Sequence, residues 1–184
     1  MGLKKKLVMV VLAGALMLAL AASVALAATI TCPNYPGTTS CVSGDDPDKL
    51  LGTNQRDNMF GNGGNDTMYS YDAQPTPEVP FNYDVMYGGP GDDKMYGGAS
   101  RDSIYGEAGS DTLVGGAGDD YLDSEFNEAS SSGPDTLRGG KGNDWFATSN
   151  GKKDFIDCGR GPYDRILSYD ANLDKVASNC ELFD

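Results

Sequence analysis

The sequence predicts an all-β fold, a solenoid of short strands joined by turns rich in glycine and aspartate. Three observations carry that expectation. From Gly88 to Asp123 the chain falls into nine-residue blocks with Gly first, Asp sixth and a large apolar residue eighth. Units of Asp followed two places on by an apolar residue recur far beyond those blocks, from Asp48 with Leu50 to Asp174 with Val176. Glycine opens turn conformations that a side chain forbids, and the residues about the eighth position suit a short strand with its apolar side chain directed inward. A unit of this size cannot bury a core by itself, so a fixed short period implies stacking.

Taken in order, residues 1–27 read as a secretory signal peptide. Lys4, Lys5 and Lys6 precede an almost wholly apolar run from Leu7 to Ala22, and Ala25, Leu26 and Ala27 form a small-residue cleavage site. That site favours cleavage over an uncleaved membrane anchor. Residues 28–47 are expected to form an N-terminal cap segment, and residues 48–147 the repeat array. The array opens with degenerate units at Asp48 and Asp57 and becomes nearly regular at Asp66. Residues 70–81 interrupt it with Pro75, Pro77 and Pro80, yet Asp84 still falls eighteen residues after Asp66. Eighteen residues are two blocks, so the interruption is read as a bulged loop that replaces one block and keeps the register. Proline has no ladder donor to offer there. A second loop insertion occupies residues 124–134. Beyond Asp144 the step lengthens to ten, through Asp154, Asp164 and Asp174, and residues 148–184 read as degenerate repeats and a cap.

The formal charge is −13, and without the signal peptide 11 bases face 27 acids, a charge of −16. Such a chain repels nucleic acid and anionic membranes and suits a multivalent cation. Without one, its composition resembles that of a disordered segment. Cys32, Cys41, Cys158 and Cys180 all follow the signal peptide, where an oxidising compartment favours disulfides. Of the three possible pairings, proximity favours Cys32–Cys41 and Cys158–Cys180. A thiolate metal site lacks the paired spacing, and the absence of histidine removes His-ligated zinc and histidine-based nucleophile pairs.

The block consensus, Gly-Gly-x-Gly-x-Asp-x-apolar-x, resembles the hemolysin-type (RTX) calcium-binding nonapeptide repeat. The resemblance implies a parallel β-roll, a right-handed calcium-stacked β-solenoid with disulfide-closed terminal caps. Two blocks would make one coil, residues eighteen apart would lie one above the other, and several Ca2+ ions would sit between turns. Calcium takes about six to eight oxygens, carboxylate and carbonyl alike. The site residues implied are Asp66, Asp84, Asp93, Asp102, Asp111, Asp120, Asp135 and Asp144, with the turn glycines Gly88, Gly91, Gly97, Gly106, Gly109, Gly115 and Gly118. In an eighteen-residue register one edge carries Asp66, Asp84, Asp102 and Asp120, and the other Asp57, a gap at Pro75, then Asp93 and Asp111. The favoured vertical pairs are Asp84/Asp102, Asp102/Asp120 and Asp93/Asp111. Position nine faces outward and aligns Tyr69, Tyr87 and Tyr105 as an aromatic ladder, read as cross-strand stiffening in preference to a glycan-stacking surface. An EF-hand is excluded because no twelfth-position Glu or flanking helices accompany the acidic loops.

The function expected is an extracellular calcium-ion-binding repeat protein that folds on calcium and serves as a structural, adhesive or matrix-interaction module without catalysis. Its expected partners are calcium ions and an extracellular glycan or cell-surface component, with no nucleic acid and no transmembrane segment after signal cleavage. A monomer exported by the general secretory pathway is expected. The alternative is a polysaccharide-active enzyme, lyase or epimerase-like, on a parallel β-solenoid. Against it, nearly all of the chain is repeat or cap, and a pore-forming toxin would need a longer apolar region.

Overall fold

The computed structural model describes residues 27–33, 39–71, 83–126 and 133–180. The expected signal peptide, apart from its last residue, and most of both loop insertions lie outside the described residues. Fifteen strands run through those described. In chain order they begin with β1 (Thr29–Thr31), β2 (Thr39–Val42), β3 (Lys49–Leu51), β4 (Asp57–Phe60), β5 (Thr67–Tyr69), β6 (Val85–Pro90), β7 (Lys94–Ala99) and β8 (Ser103–Ala108). There follow β9 (Thr112–Ala117), β10 (Tyr121–Asp123), β11 (Thr136–Lys141), β12 (Trp145–Ala147), β13 (Phe155–Arg160), β14 (Arg165–Ser168) and β15 (Lys175–Val176). Odd-numbered strands form an eight-stranded sheet and even-numbered strands a seven-stranded one. All pairings are parallel, each strand bonding to those two before and two after it. The chain thus winds as a two-sided coil and places one strand in each sheet per coil.

Side chains alternate across a strand, so every second residue faces the space between the sheets. Leu50, Met68, Met95, Leu113, Leu137 and Ile156 stack in register along one sheet. Met59, Met86, Ile104, Leu122 and Phe146 do so along the other. All of them are fully buried, and Ile30, Ile166 and Val176 extend the same core at its ends, partly covered. Methionine, unbranched and flexible, suits the first coils, where the turns are least regular. The turns need conformations of positive φ, as at Gly98 (95°) and Gly109 (138°), which glycine adopts without a Cβ penalty.

The register expected across residues 70–81 does not form. β4 pairs with β6 and β5 with β7, so Met68 stacks against Met95, not Met86. The reason lies in the ladders. A replaced block would leave one sheet without a strand and its neighbours without backbone partners, a cost that buried amides do not tolerate. Nine additional residues between consecutive strands keep both sheets continuous. The aromatic ladder shifts with them: Tyr69 stacks on Tyr96 (centroids 4.8 Å apart), while Phe60 stacks on Tyr87 (5.2 Å) and Tyr87 on Tyr105 (4.9 Å). Tyr69, Tyr87 and Tyr105 therefore do not form one column.

Both ends are built into the coil. β1 and β2 already belong to the two sheets, and β13 to β15 continue them through the segment with ten-residue steps. Cys32 is bonded to Cys41 and Cys158 to Cys180, each pair with Cα atoms 5.1 Å apart. The first disulfide bridges the two sheets at one end, and the second ties the closing segment to β13 at the other.

Candidate metal centre

Each coil has two turns, so the aspartates that end the turns form two lines along the roll. One line runs Asp48, Asp66, Asp93, Asp111, Asp135, Asp154 and Asp174, the other Asp57, Asp84, Asp102, Asp120, Asp144 and Asp164. Within a line the backbone N–H of each aspartate donates to Oδ1 of the next, as from Asp66 to Asp93 (2.7 Å), Asp93 to Asp111 (2.8 Å) and Asp102 to Asp120 (2.9 Å). The same bond joins Asp57 to Asp84 (2.6 Å) and Asp135 to Asp154 (2.8 Å). This ladder fixes every carboxylate and spends one oxygen on it.

The second oxygen is a different matter. Oδ2 of Asp66, Asp93, Asp111, Asp120, Asp144 and Asp154 is buried and has no hydrogen-bond partner among the described residues. In all but Asp154, whose turn begins at Thr148, it points at the glycine that begins its own turn, and a backbone carbonyl of the next coil points at the same place. A Cβ placed on Gly88 would lie 2.5 Å from Asp93 Oδ2 and 2.6 Å from the Gly106 carbonyl oxygen. On Gly97 it would lie 2.5 Å from Asp102 Oδ2 and 2.6 Å from the Gly115 oxygen. At each glycine two acceptors converge on one gap, and Asp93 Oδ2 has no hydrogen-bond partner among the described residues. A cation or a proton would relieve the two acceptors, and carboxylate and carbonyl oxygens are the ligands that calcium takes.

Burial pushes these carboxyls upward from the ordinary 3.8, to about 6 at Asp66 and Asp154, about 7 at Asp93, Asp120, Asp135 and Asp144, and about 8 at Asp111. The backbone N–H from the preceding coil opposes the rise, and the negative charge of line neighbours adds to it. A bound cation would remove the conflict.

The expected site residues separate into classes. Asp84, Asp93, Asp102, Asp111 and Asp120 form the vertical pairs read from the blocks. Asp66 and Asp84, expected as neighbours, lie on different lines. Gly88, Gly97, Gly106 and Gly115 start their turns against a carboxylate, whereas Gly91, Gly109 and Gly118 take positive φ in the fourth position. Asp135 differs from the others in that its Oδ2 accepts from Asn150 Nδ2 at 3.2 Å. Asp154 was read as part of a cap, yet it holds the same buried, unpartnered oxygen as the regular turns. Its signal was present as Asp with Ile156 and was obscured by the ten-residue step. No cluster of three His, Cys, Asp or Glu side chains that could hold a metal ion forms among the described residues.

A family model of the RTX calcium-binding nonapeptide repeat, present in four copies, matches residues 42–72, 84–123 and 130–152. The chain belongs to that family. It is an RTX calcium-binding repeat protein with a parallel β-roll, and RTX arrays bind several calcium ions. RTX repeats are typically non-catalytic, and proteins that carry them are often extracellular. No curated protein and no solved structure matches the chain. Among the described residues no helix is long and apolar enough to cross a membrane.

Proposed function

We propose that this RTX chain is an extracellular, non-enzymatic module whose roll is assembled by calcium and then serves a structural or adhesive role. The observation that carries the reading is the convergence of a bare, buried Asp Oδ2 and a turn carbonyl on one gap at successive coils. In this reading Asp66, Asp93, Asp102, Asp111, Asp120 and Asp144 hold calcium in the turns that begin at Gly61, Gly88, Gly97, Gly106, Gly115 and Gly139, whereas Asp84, Asp135 and Asp154 end turns that begin with Ser or Thr. Calcium when bound supplies charge balance and cross-coil linkage, with no chemistry on a substrate.

An oxidised pair at each end suits an exported protein, and the signal-peptide reading of residues 1–27 supports the general secretory route. The stacked rings of Phe60, Tyr87 and Tyr105 turn their faces to one another, which favours stiffening of the sheet over glycan stacking. Calorimetric titration of the chelator-treated protein tests the site assignment: Asp102→Asn and Asp111→Asn should each lower the number of bound ions. Full wild-type binding in both variants would refute it. Incubation of the calcium-loaded protein with arrayed glycans and cell-wall polymers tests the adhesive role.

A further inference from the structure

Four turns begin with Ser or Thr in place of glycine, and the disulfide-bonded Cys32 and Cys158 take the same place near the two ends. Ser43, Ser70, Ser124 and Thr148 stand directly after β2, β5, β10 and β12, where Gly61, Gly88, Gly97, Gly106, Gly115 and Gly139 begin the regular turns. All four substitutes carry a hydroxyl. Ser70, Ser124 and Thr148 are fully buried, an unfavourable place for a polar group without a partner. Three of the four open a turn of irregular length, towards Asp84, Asp135 and Asp154.

Each hydroxyl has an acceptor of the types that line the regular turns, a main-chain carbonyl of the next coil or an aspartate carboxylate. Ser43 Oγ donates to the Gly61 carbonyl and Ser70 Oγ to the Gly97 carbonyl, both belonging to the first turn position of the next coil. Ser124 Oγ lies 3.5 Å from the Ala147 carbonyl and also hydrogen-bonds the Asp135 carboxylate. Thr148 Oγ1 donates to Asp174 Oδ2 at 3.2 Å. Asp135 and Asp174 are accordingly absent from the carboxylates with a bare oxygen, and Asn150 adds a second donor to Asp135.

A side chain at this position and an ion are mutually exclusive. A Cβ on Gly106 would fall 2.6 Å from Asp111 Oδ2 and 3.1 Å from the Ser124 carbonyl oxygen, inside the gap itself. Glycine is needed there for room and not for conformation, because Gly106 has no left-handed φ. We propose that Ser43, Ser70, Ser124 and Thr148 close their turns in place of calcium, each O–H supplying the positive end that the ion supplies elsewhere. The roll then mixes two kinds of rung, ion-bridged at Gly61, Gly88, Gly97, Gly106, Gly115 and Gly139 and hydroxyl-bridged where the first turn residue is Ser or Thr, while at Gly52 the Asp57 carboxylate already accepts from Thr53. This inference rests on the calcium reading of the glycine rungs.

The test is to interconvert the rungs in the full chain and to count calcium by calorimetry and elemental analysis after chelation and reloading. Gly106→Ser should bind one ion fewer than wild type and keep the β-type circular dichroism spectrum in calcium. Gly106→Ala should lose the same ion and melt below Gly106→Ser, since it fills the gap without offering a donor. Ser124→Ala should keep the wild-type ion count and melt lower. A Gly106→Ser variant with the full ion count, equal melting of the Ser and Ala variants, or a lost ion in Ser124→Ala would each overturn the inference, the last by making the hydroxyl a ligand. A wild type that binds no calcium would instead remove the calcium reading, and this inference with it.

Discussion

Removal of calcium at neutral pH should unfold the roll, and acid should fold it again without calcium. Burial raises Asp111 from 3.8 to about 8 and Asp120 from 3.8 to about 7. One pKa unit corresponds to about 1.4 kcal/mol, so ionising Asp111 in the metal-free roll above pH 8 costs on the order of 5 kcal/mol and Asp120 nearly as much. Those two groups alone approach a domain stability of about 5–15 kcal/mol, and Asp93 and Asp144 are raised to about 7 as well. The sign follows from linkage. A carboxyl whose folded pKa lies above its unfolded value binds protons more tightly when folded, so its contribution is complete below pH 3.8 and is lost as pH rises through 6 to 8. The assay is far-UV circular dichroism in chelator from pH 4 to 8.5, repeated in millimolar calcium. In chelator the β-type signal should be present near pH 4 and absent above pH 8, and calcium should restore it at every pH. A full β-type spectrum in chelator at pH 8 would refute the reasoning, as would a chelated chain that remains unfolded at pH 4.

Three further outcomes follow from individual residues. Ser100 is buried in a turn with φ of 93° and an Oγ without a hydrogen-bond partner, so Ser100→Gly should stabilise the calcium-loaded roll by about 1 kcal/mol after the entropic cost of glycine, read as a higher Tm. Deleting residues 73–81 should leave the ion count unchanged, because Asp57 bonds to Asp84 and Asp66 to Asp93 across the coils on either side of them; loss of ions in calorimetry would count against the register. Replacing Cys158 and Cys180 by Ser opens a loop with a separation of 22 residues and should cost about 3 kcal/mol in denaturant titration by the loop-entropy estimate.

Much of this architecture is local, and local features are legible in a sequence. The Asp-x-apolar period placed every inward residue from Leu50 to Val176, because a strand of three or more residues alternates whatever its neighbours are. Glycine at the turn positions follows from backbone conformation and close approach, which are also local needs. The cysteine pairs were open to proximity arguments because each joins residues within one or two half-coils. Asp154 stood outside the regular blocks for the same local reason, a ten-residue step, although its Oδ2 is buried and without a hydrogen-bond partner among the described residues.

What the sequence alone could not decide is which coil lies on which. A spacing of eighteen between Asp66 and Asp84 is arithmetically the same whether one block is replaced or nine residues are inserted. Only the sheets distinguish the two, because β4 and β5 both need a parallel partner and find one in β6 and β7. That choice sends Asp66 to Asp93, Asp57 to Asp84 and Tyr69 to Tyr96. The division of the rungs is likewise tertiary. Ser124 and Asn150 read as ordinary loop residues until the coils stack, and the donors then meet the carboxylate of Asp135, an aspartate that the repeat pattern treats like any other.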